Sequence, residues 1–197
     1  AVVLPQAGNF GAAEASDAAK RAYQFRDRLP AVERGLTEAY YHNIVTGDQE
    51  KTEAAYRAVL AVNPDEPTSL NNLGLMLTVQ GKAAEAEPLL RRLVGTTSMQ
   101  SGMLNLFTAL DAQGKTAAAD SVLAEFRRQY PESTRPDEML RFRHYMRRDF
   151  RAADSLLRDP AFSAPATPGE QIRLQFERVS VATVLGRMAE SKRLATD

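Results

Sequence analysis

Turn-forming residues recur along this chain at a nearly constant interval, and that interval constrains the fold more than any other feature. Four segments align on a turn followed by a small-residue stretch of helical length: TGDQEKTEAAYRAVL from Thr46, QGKAAEAEPLLRRLV from Gln80, QGKTAAADSVLAEFR from Gln113 and RRDFRAADSLLRD from Arg147. Their turn residues Gly47, Gly81, Gly114 and Arg148 lie 34, 33 and 34 residues apart. A fifth turn, Gly186-Arg187, follows 38 residues later, with PAFSAPATPG absorbing the excess. An amphipathic segment precedes each turn. Asn63-Pro64 and Tyr130-Pro131 close the second helices of the first and third units, because proline cannot continue a helix and drives its predecessor out of the helical region. Such a period marks an array of helical hairpins, each burying its apolar face only against its neighbours.

The stretch LNNLGLMLTVQGKAAEAEPLL, Leu70 to Leu90, shows the unit most clearly. Leu70, Leu73 and Leu77 recur at helical spacing with Gly74 among them, Gly81 falls at the turn, and Ala86, Leu90 and Leu93 follow on the second helix. Small residues let two helices approach closely while leucines fill the gaps. This pattern resembles the tetratricopeptide repeat family, whose unit is a 34-residue helix-turn-helix. The resemblance implies an all-α, right-handed α-solenoid of stacked helix-turn-helix repeats, about ten to eleven helices in all.

It divides the chain as one solenoid domain over 1–197. Residues 1–30 form a partial upstream repeat, 31–66, 67–99, 100–133 and 134–160 the repeats, and 161–197 a partial C-terminal one. AVVL reads as the tail of an earlier helix and GNFG as the turn after it, so the chain reads as a fragment of a longer protein. Tyr40 and Phe107 stand where the family has Gly or Ala, which calls for looser or shifted packing there.

A narrower resemblance runs from RAYQFRDRLPAVERGLTEAYYHNIVTG through EAAYRAVLAVNPDEPTSLNNLGL. It is similar to repeat regions C-terminal to the kinase domain of bacterial serine/threonine protein kinases. That implies a regulatory or sensory region of a signalling protein, and no kinase residue is present.

Composition excludes several classes. Twenty-five Lys+Arg balance 25 Asp+Glu in 197 residues, so the basic excess that nucleic-acid affinity draws on is missing. There is no cysteine, hence no disulfide, thiolate metal site or cysteine nucleophile. No apolar run approaches the roughly 20 residues of a membrane span. The parent protein's location, cytoplasmic or membrane-anchored, stays open.

No chemistry-bearing constellation emerges, and no cofactor or metal is expected. His42 and His144 lack the paired histidines or nearby carboxylate of a zinc site. GNFG lacks the lysine and strand context of a phosphate loop. The Arg-rich run RFRHYMRRDFR has a plain reading, in which Met139, Phe142 and Met146 form a core stripe and the arginines cover the outside.

The expectation is therefore a non-enzymatic interaction module that takes a protein or peptide in a concave groove. A homo-oligomer, in which the array joins copies of an attached signalling enzyme, is the alternative. The groove is expected to be lined by Tyr41, Asn71, Asn72, Leu75, Thr78, Asn105 and Thr108, with Phe142 and Tyr145 near its far end. Asn72 and Asn105 occupy the sixth position of a first helix, where the family resemblance implies contacts to a peptide backbone, and a carboxamide can both donate to and accept from one. Glu38 and Met139 occupy that position in the neighbouring units, and Thr37, Tyr41 and Ser101 replace the residues with which chaperone-binding relatives capture a C-terminal carboxylate.

Overall fold

The structure, a computed structural model, describes residues 12–160 and 167–196. The expected helix tail and GNFG turn at residues 1–11, and most of the PAFSAPATPG stretch, lie outside the described residues.

Among the described residues the protein is all α, with eleven α-helices and no strand. They are α1 (Ala12–Gln24), α2 (Ala31–Tyr41), α3 (Gln49–Val62), α4 (Pro67–Val79), α5 (Ala83–Thr96), α6 (Gln100–Ala112), α7 (Thr116–Gln129), α8 (Arg135–Met146), α9 (Phe150–Arg158), α10 (Pro168–Val184) and α11 (Met188–Leu194). Two compact units divide the chain, Ala1–Ala119 and Asp120–Asp197, the boundary falling inside α7.

All five turn residues read from the sequence adopt left-handed backbone: Gly47, Gly81, Gly114 and Gly186 at φ of 66–78°, and Arg148 at 57°. Four turns close with the same pair of bonds. In α4–α5, Lys82 N–H donates to Leu77 C=O (2.8 Å) and Gly81 N–H to Thr78 C=O (3.0 Å). The long bond recurs from Lys115 to Leu110, Asp149 to His144 and Arg187 to Ala182, always five residues back. Each such bond satisfies a carbonyl that the end of a helix would otherwise orphan.

The first turn differs. Asp48 N–H reaches six residues back, to His42 C=O (3.1 Å), because His42–Thr46 is a π-helical turn. A π-turn holds one residue more than the α-turn it replaces. Counted back across that extra residue, Ala39 rather than Tyr40 takes the place of Gly74, and Ala39 is fully buried while Tyr40 is half-buried. The anticipated misfit at Tyr40 is thus resolved by a one-residue shift. Gly35, one turn earlier on α2, lies against Val59 of α3. In α6, Phe107 itself is buried.

In the first unit the core is built from Val59, Leu70, Leu73, Leu77, Ala86, Leu90, Leu93, Met103, Leu106 and Leu110, all buried. Gly74 on α4 sits against Leu90 of α5, and Gly102 on α6 against Leu93. In the second unit Ala153, Leu157, Leu174 and Val181 form a cluster with Leu185 packed on it. Side chains cap the helix starts. Asp48 accepts from Lys51 N–H, Glu66 from both Thr68 and Ser69 N–H, and Thr167 and Glu170 form a reciprocal capping box.

Candidate functional site

In the first unit the expected asparagines do come together, in a hydrogen-bonded line across three hairpins. Asn105 Nδ2 on α6 donates to Asn71 Oδ1 on α4, Asn71 Nδ2 donates to Asn72 Oδ1, and Asn72 Nδ2 donates to the hydroxyl of Tyr56 on α3, each at 3.0 Å. The three carboxamides are half-buried, while Tyr56 is buried. Burial pushes the Tyr56 phenol above its ordinary pKa. Sequence reasoning did not single out Tyr56. It reads as a core aromatic of a second helix, and nothing local marks its hydroxyl as a partner for a residue 16 positions on.

The other expected residues of this unit sit differently. Thr78 and Thr108 turn their hydroxyls back onto their own helices, donating to Gly74 C=O (2.8 Å) and Leu104 C=O (2.9 Å). Leu75 is exposed. Tyr41 lies upstream of the π-turn, so the one-residue shift moves it off the position of Leu75. Its ring stacks on Tyr23 of α1 at 3.9 Å and 15°, with His42 edge-on and the Arg26 guanidinium 4.1 Å over Tyr23.

In the second unit, the plain reading of the Arg-rich run is overturned. Phe142 and Met146 are 50% and 65% exposed, whereas Arg141 and Arg143 are each 5% exposed. Arg141 Nε donates to Glu177 Oε2 on α10 (2.9 Å), and Arg143 donates to Asp120 Oδ1 (2.5 Å). The stripe failed because charge was taken as a sign of exposure, and a guanidinium with a carboxylate partner tolerates burial. Tyr145 is also exposed, its ring edge-on to Phe150.

Phe142 and Tyr145 therefore stand beside an open cleft of about 290 Å³ between α8, α9 and α10. Phe176, 69% exposed, faces it from α10, and Ala153, Leu157 and Val181 line it with apolar carbon. Its charged groups are matched among themselves, Arg141 with Glu177 and Arg173 with Glu138.

Among the described residues no cluster of three or more histidines and carboxylates could hold a metal. No described helix is long and apolar enough to cross a membrane.

Comparison with solved structures decides the architecture. The chain is similar to a tetratricopeptide repeat protein from Parabacteroides merdae, with a TM-score of 0.69 at 14% identity over 94% of this chain and 72% of that one. The fold is that of tetratricopeptide-repeat proteins. PilW, a widely conserved type IV pilus biogenesis factor, is similar at a TM-score of 0.64 and 15% identity, over 93% of this chain and 82% of its own. No protein-family model and no curated protein matches the chain by sequence. In tetratricopeptide terms, Asn71, Asn72, Asn105 and Phe142 all lie on first helices of their hairpins, as does Phe176 on α10.

Proposed function

We propose that this chain is a non-enzymatic docking module that takes a peptide or a helix from a partner protein, as a regulatory or sensory region of a bacterial signalling protein. The observation that carries the reading is the cleft of the second unit. Three aromatic rings, Phe142, Tyr145 and Phe176, stand exposed around an apolar hollow of about 290 Å³. Exposed aromatics grouped at a concavity, with few polar groups, are what protein and ligand recognition sites use. Because the bordering charges already neutralise one another, a charged anchor gains nothing there. The occupant is an aromatic or branched aliphatic side chain on a peptide. The first unit, taken by itself, offers a polar surface, its carboxamides suited to the backbone of an extended segment. The balance of 25 basic against 25 acidic residues disfavours a polyanion as partner.

The test is selection of peptides from a random decapeptide display library on the purified protein, followed by calorimetric titration. Recovered sequences should share an aromatic or aliphatic anchor, and Phe142→Ala or Phe176→Ala should weaken them about tenfold, the loss of one hot-spot contact. Both residues are at least half-exposed, so melting should hardly change. Selection of uniformly acidic or basic peptides would contradict the reading.

Self-association is the second reading, favoured by an adjoining surface that shares Phe176 with the first cleft. Ile172, Val184 and Met188 are exposed on α10 and α11, and a cleft of about 470 Å³ is lined by Ile172, Phe176, Val179 and Leu194. A concentration-dependent mass in sedimentation, lost in Ile172→Asp, would support it over peptide docking.

A further inference from the structure

The carboxamide line in the first unit has a direction. Each amide donates toward α3: Asn105 to Asn71, Asn71 to Asn72, Asn72 to Tyr56. Its inner end is a hydroxyl on a buried ring, fixed by the core. Its outer end is Asn105, whose Oδ1 has no partner among the described residues. Hydrogen bonds in a chain polarise one another, and an amide that donates through nitrogen becomes a better acceptor at oxygen.

We infer that Tyr56 is a positioning residue for the peptide surface of the first unit, anchoring the carboxamide chain so that Asn105 Oδ1 is held out to accept a backbone N–H from an extended peptide. The inference rests on the peptide-docking reading and assigns the polar roles within it. Asn105 meets the peptide. Asn71 and Asn72 transmit the constraint, and Tyr56 supplies it from the core without touching the ligand. Removing the hydroxyl leaves Asn72 Nδ2 without its acceptor, free to rotate, and each amide after it loses a fixed neighbour. A carboxamide that must be ordered on binding contributes less affinity than one already held.

Other features of the molecule carry less. The Tyr23–Tyr41–His42 stack satisfies itself, and the exposed face of α10 and α11 belongs to the self-association reading.

Tyr56→Phe keeps the ring and its packing, so it isolates the hydroxyl. The first measurement needs no ligand. In side-chain amide NMR spectra of the free protein, Tyr56→Phe should shift the NH2 resonances of Asn72, Asn71 and Asn105, although Asn105 lies two hairpins away. A shift confined to Asn72 would mean the hydroxyl is only a local structural contact, and the inference would fall.

The second measurement uses a wild-type binder from the decapeptide library. Tyr56→Phe and Asn105→Ala should each weaken it about tenfold, the worth of one backbone hydrogen bond. The double mutant should be no weaker than Asn105→Ala alone, since both act on one contact. Additive losses would overturn the relay and leave peptide docking standing. If the library yields no wild-type binder at all, docking itself fails and the inference falls with it, whatever the ligand-free spectra show of the hydrogen-bonded chain.

Discussion

Two glycine-to-alanine changes, Gly74→Ala and Gly95→Ala, test the packing of the second hairpin by moving stability in opposite directions. Both glycines lie in helices, so both gain up to about 1 kcal/mol from the better helix former. They differ in what the new methyl meets. At Gly95 a Cβ meets nothing within 4 Å. At Gly74 it falls 2.5 Å from Leu90 Cδ2, 2.6 Å from Cγ and 3.2 Å from Cδ1. Carbon atoms rest about 3.5–4.0 Å apart, so roughly 1 Å must be found. Rotating the end of the leucine does not find it, because Cγ, the branch point, is itself in the way. Leu90 has no exposed surface into which to retreat.

Overpacking of this kind costs about 1–3 kcal/mol. Set against the propensity gain, Gly74→Ala should lose about 1–2 kcal/mol, while Gly95→Ala should gain about 0.5–1. Gly74→Leu, which adds three further carbons at the same point, should lose more. The assay is urea unfolding followed by far-ultraviolet circular dichroism, with hydrogen exchange to confirm that the change falls in the first unit. A second arm uses Leu90→Ala, which alone should cost about 2–5 kcal/mol through its cavity. Combined with Gly74→Ala it should cost less than the sum, since the methyl then has space. If Gly74→Ala is as stable as Gly95→Ala, or the Leu90 pair is additive, the close approach of α4 and α5 is wrong.

Arg148→Gly should stabilise the protein by about 1 kcal/mol, because Arg148 is the one left-handed turn residue with a side chain among the described residues; a neutral or unfavourable change in melting would refute this. Tyr40→Phe should be neutral or stabilising by up to about 1 kcal/mol, since the buried Tyr40 hydroxyl has no hydrogen-bond partner among the described residues; destabilisation would reveal a partner. Lys115, with Gln113 and Arg91, outweighs burial and holds the Glu87 carboxyl at about 2, below its ordinary 4.5. A folded value below the unfolded one gives stability that is present above about pH 4.5 and lost as pH falls toward 2, so Glu87→Gln should cost about 1–2 kcal/mol at neutral pH and nothing near pH 2. A gap that persists at low pH would contradict the assignment. Asn72→Ala should lower stability by about 1 kcal/mol, because it strips the buried Tyr56 hydroxyl of its partner, and Asn105→Ala should lower it less; thermal melts of equal depth would show that the two positions do not differ.

The sequence declared the turns because backbone geometry leaves little choice there. A left-handed residue wants glycine, and four of the five positions have it, so even Arg148 could be placed from the interval alone. The proline stops were legible for the same kind of reason, α3 ending at Val62 and α7 at Gln129. The π-turn left no such mark. It lengthens the approach to Gly47 by one residue without altering the 34-residue step to Gly81, so counting back from the turn gave Tyr40 the place that Ala39 holds. The carboxamide line was half-visible. Asn72 and Asn105 stood out by position, but their partners Asn71 and Tyr56 are set by how hairpins stack, which spacing within one repeat does not encode.

The misreading of the Arg-rich run and the open cleft meet at one residue, Arg141. Seven residues before the turn, where α4 has Gly74, α8 has Arg141 and α10 has Val179. Interaxial distance depends on the side chains at the contact; in α6 the same position is Phe107, which is apolar and buried, whereas in α8 it is a charged guanidinium. A buried guanidinium also needs a carboxylate close by, since an unpaired charge there would be costly. Glu177 supplies it at 2.9 Å, which ties α8 to α10 through a polar bridge rather than through interlocking leucines. Phe142, Tyr145 and Phe176 stand beside an open space of about 290 Å³. The buried Arg141–Glu177 pair and the exposed Phe142, Tyr145 and Phe176 thus border the same open space, which is the surface that the proposed docking would use.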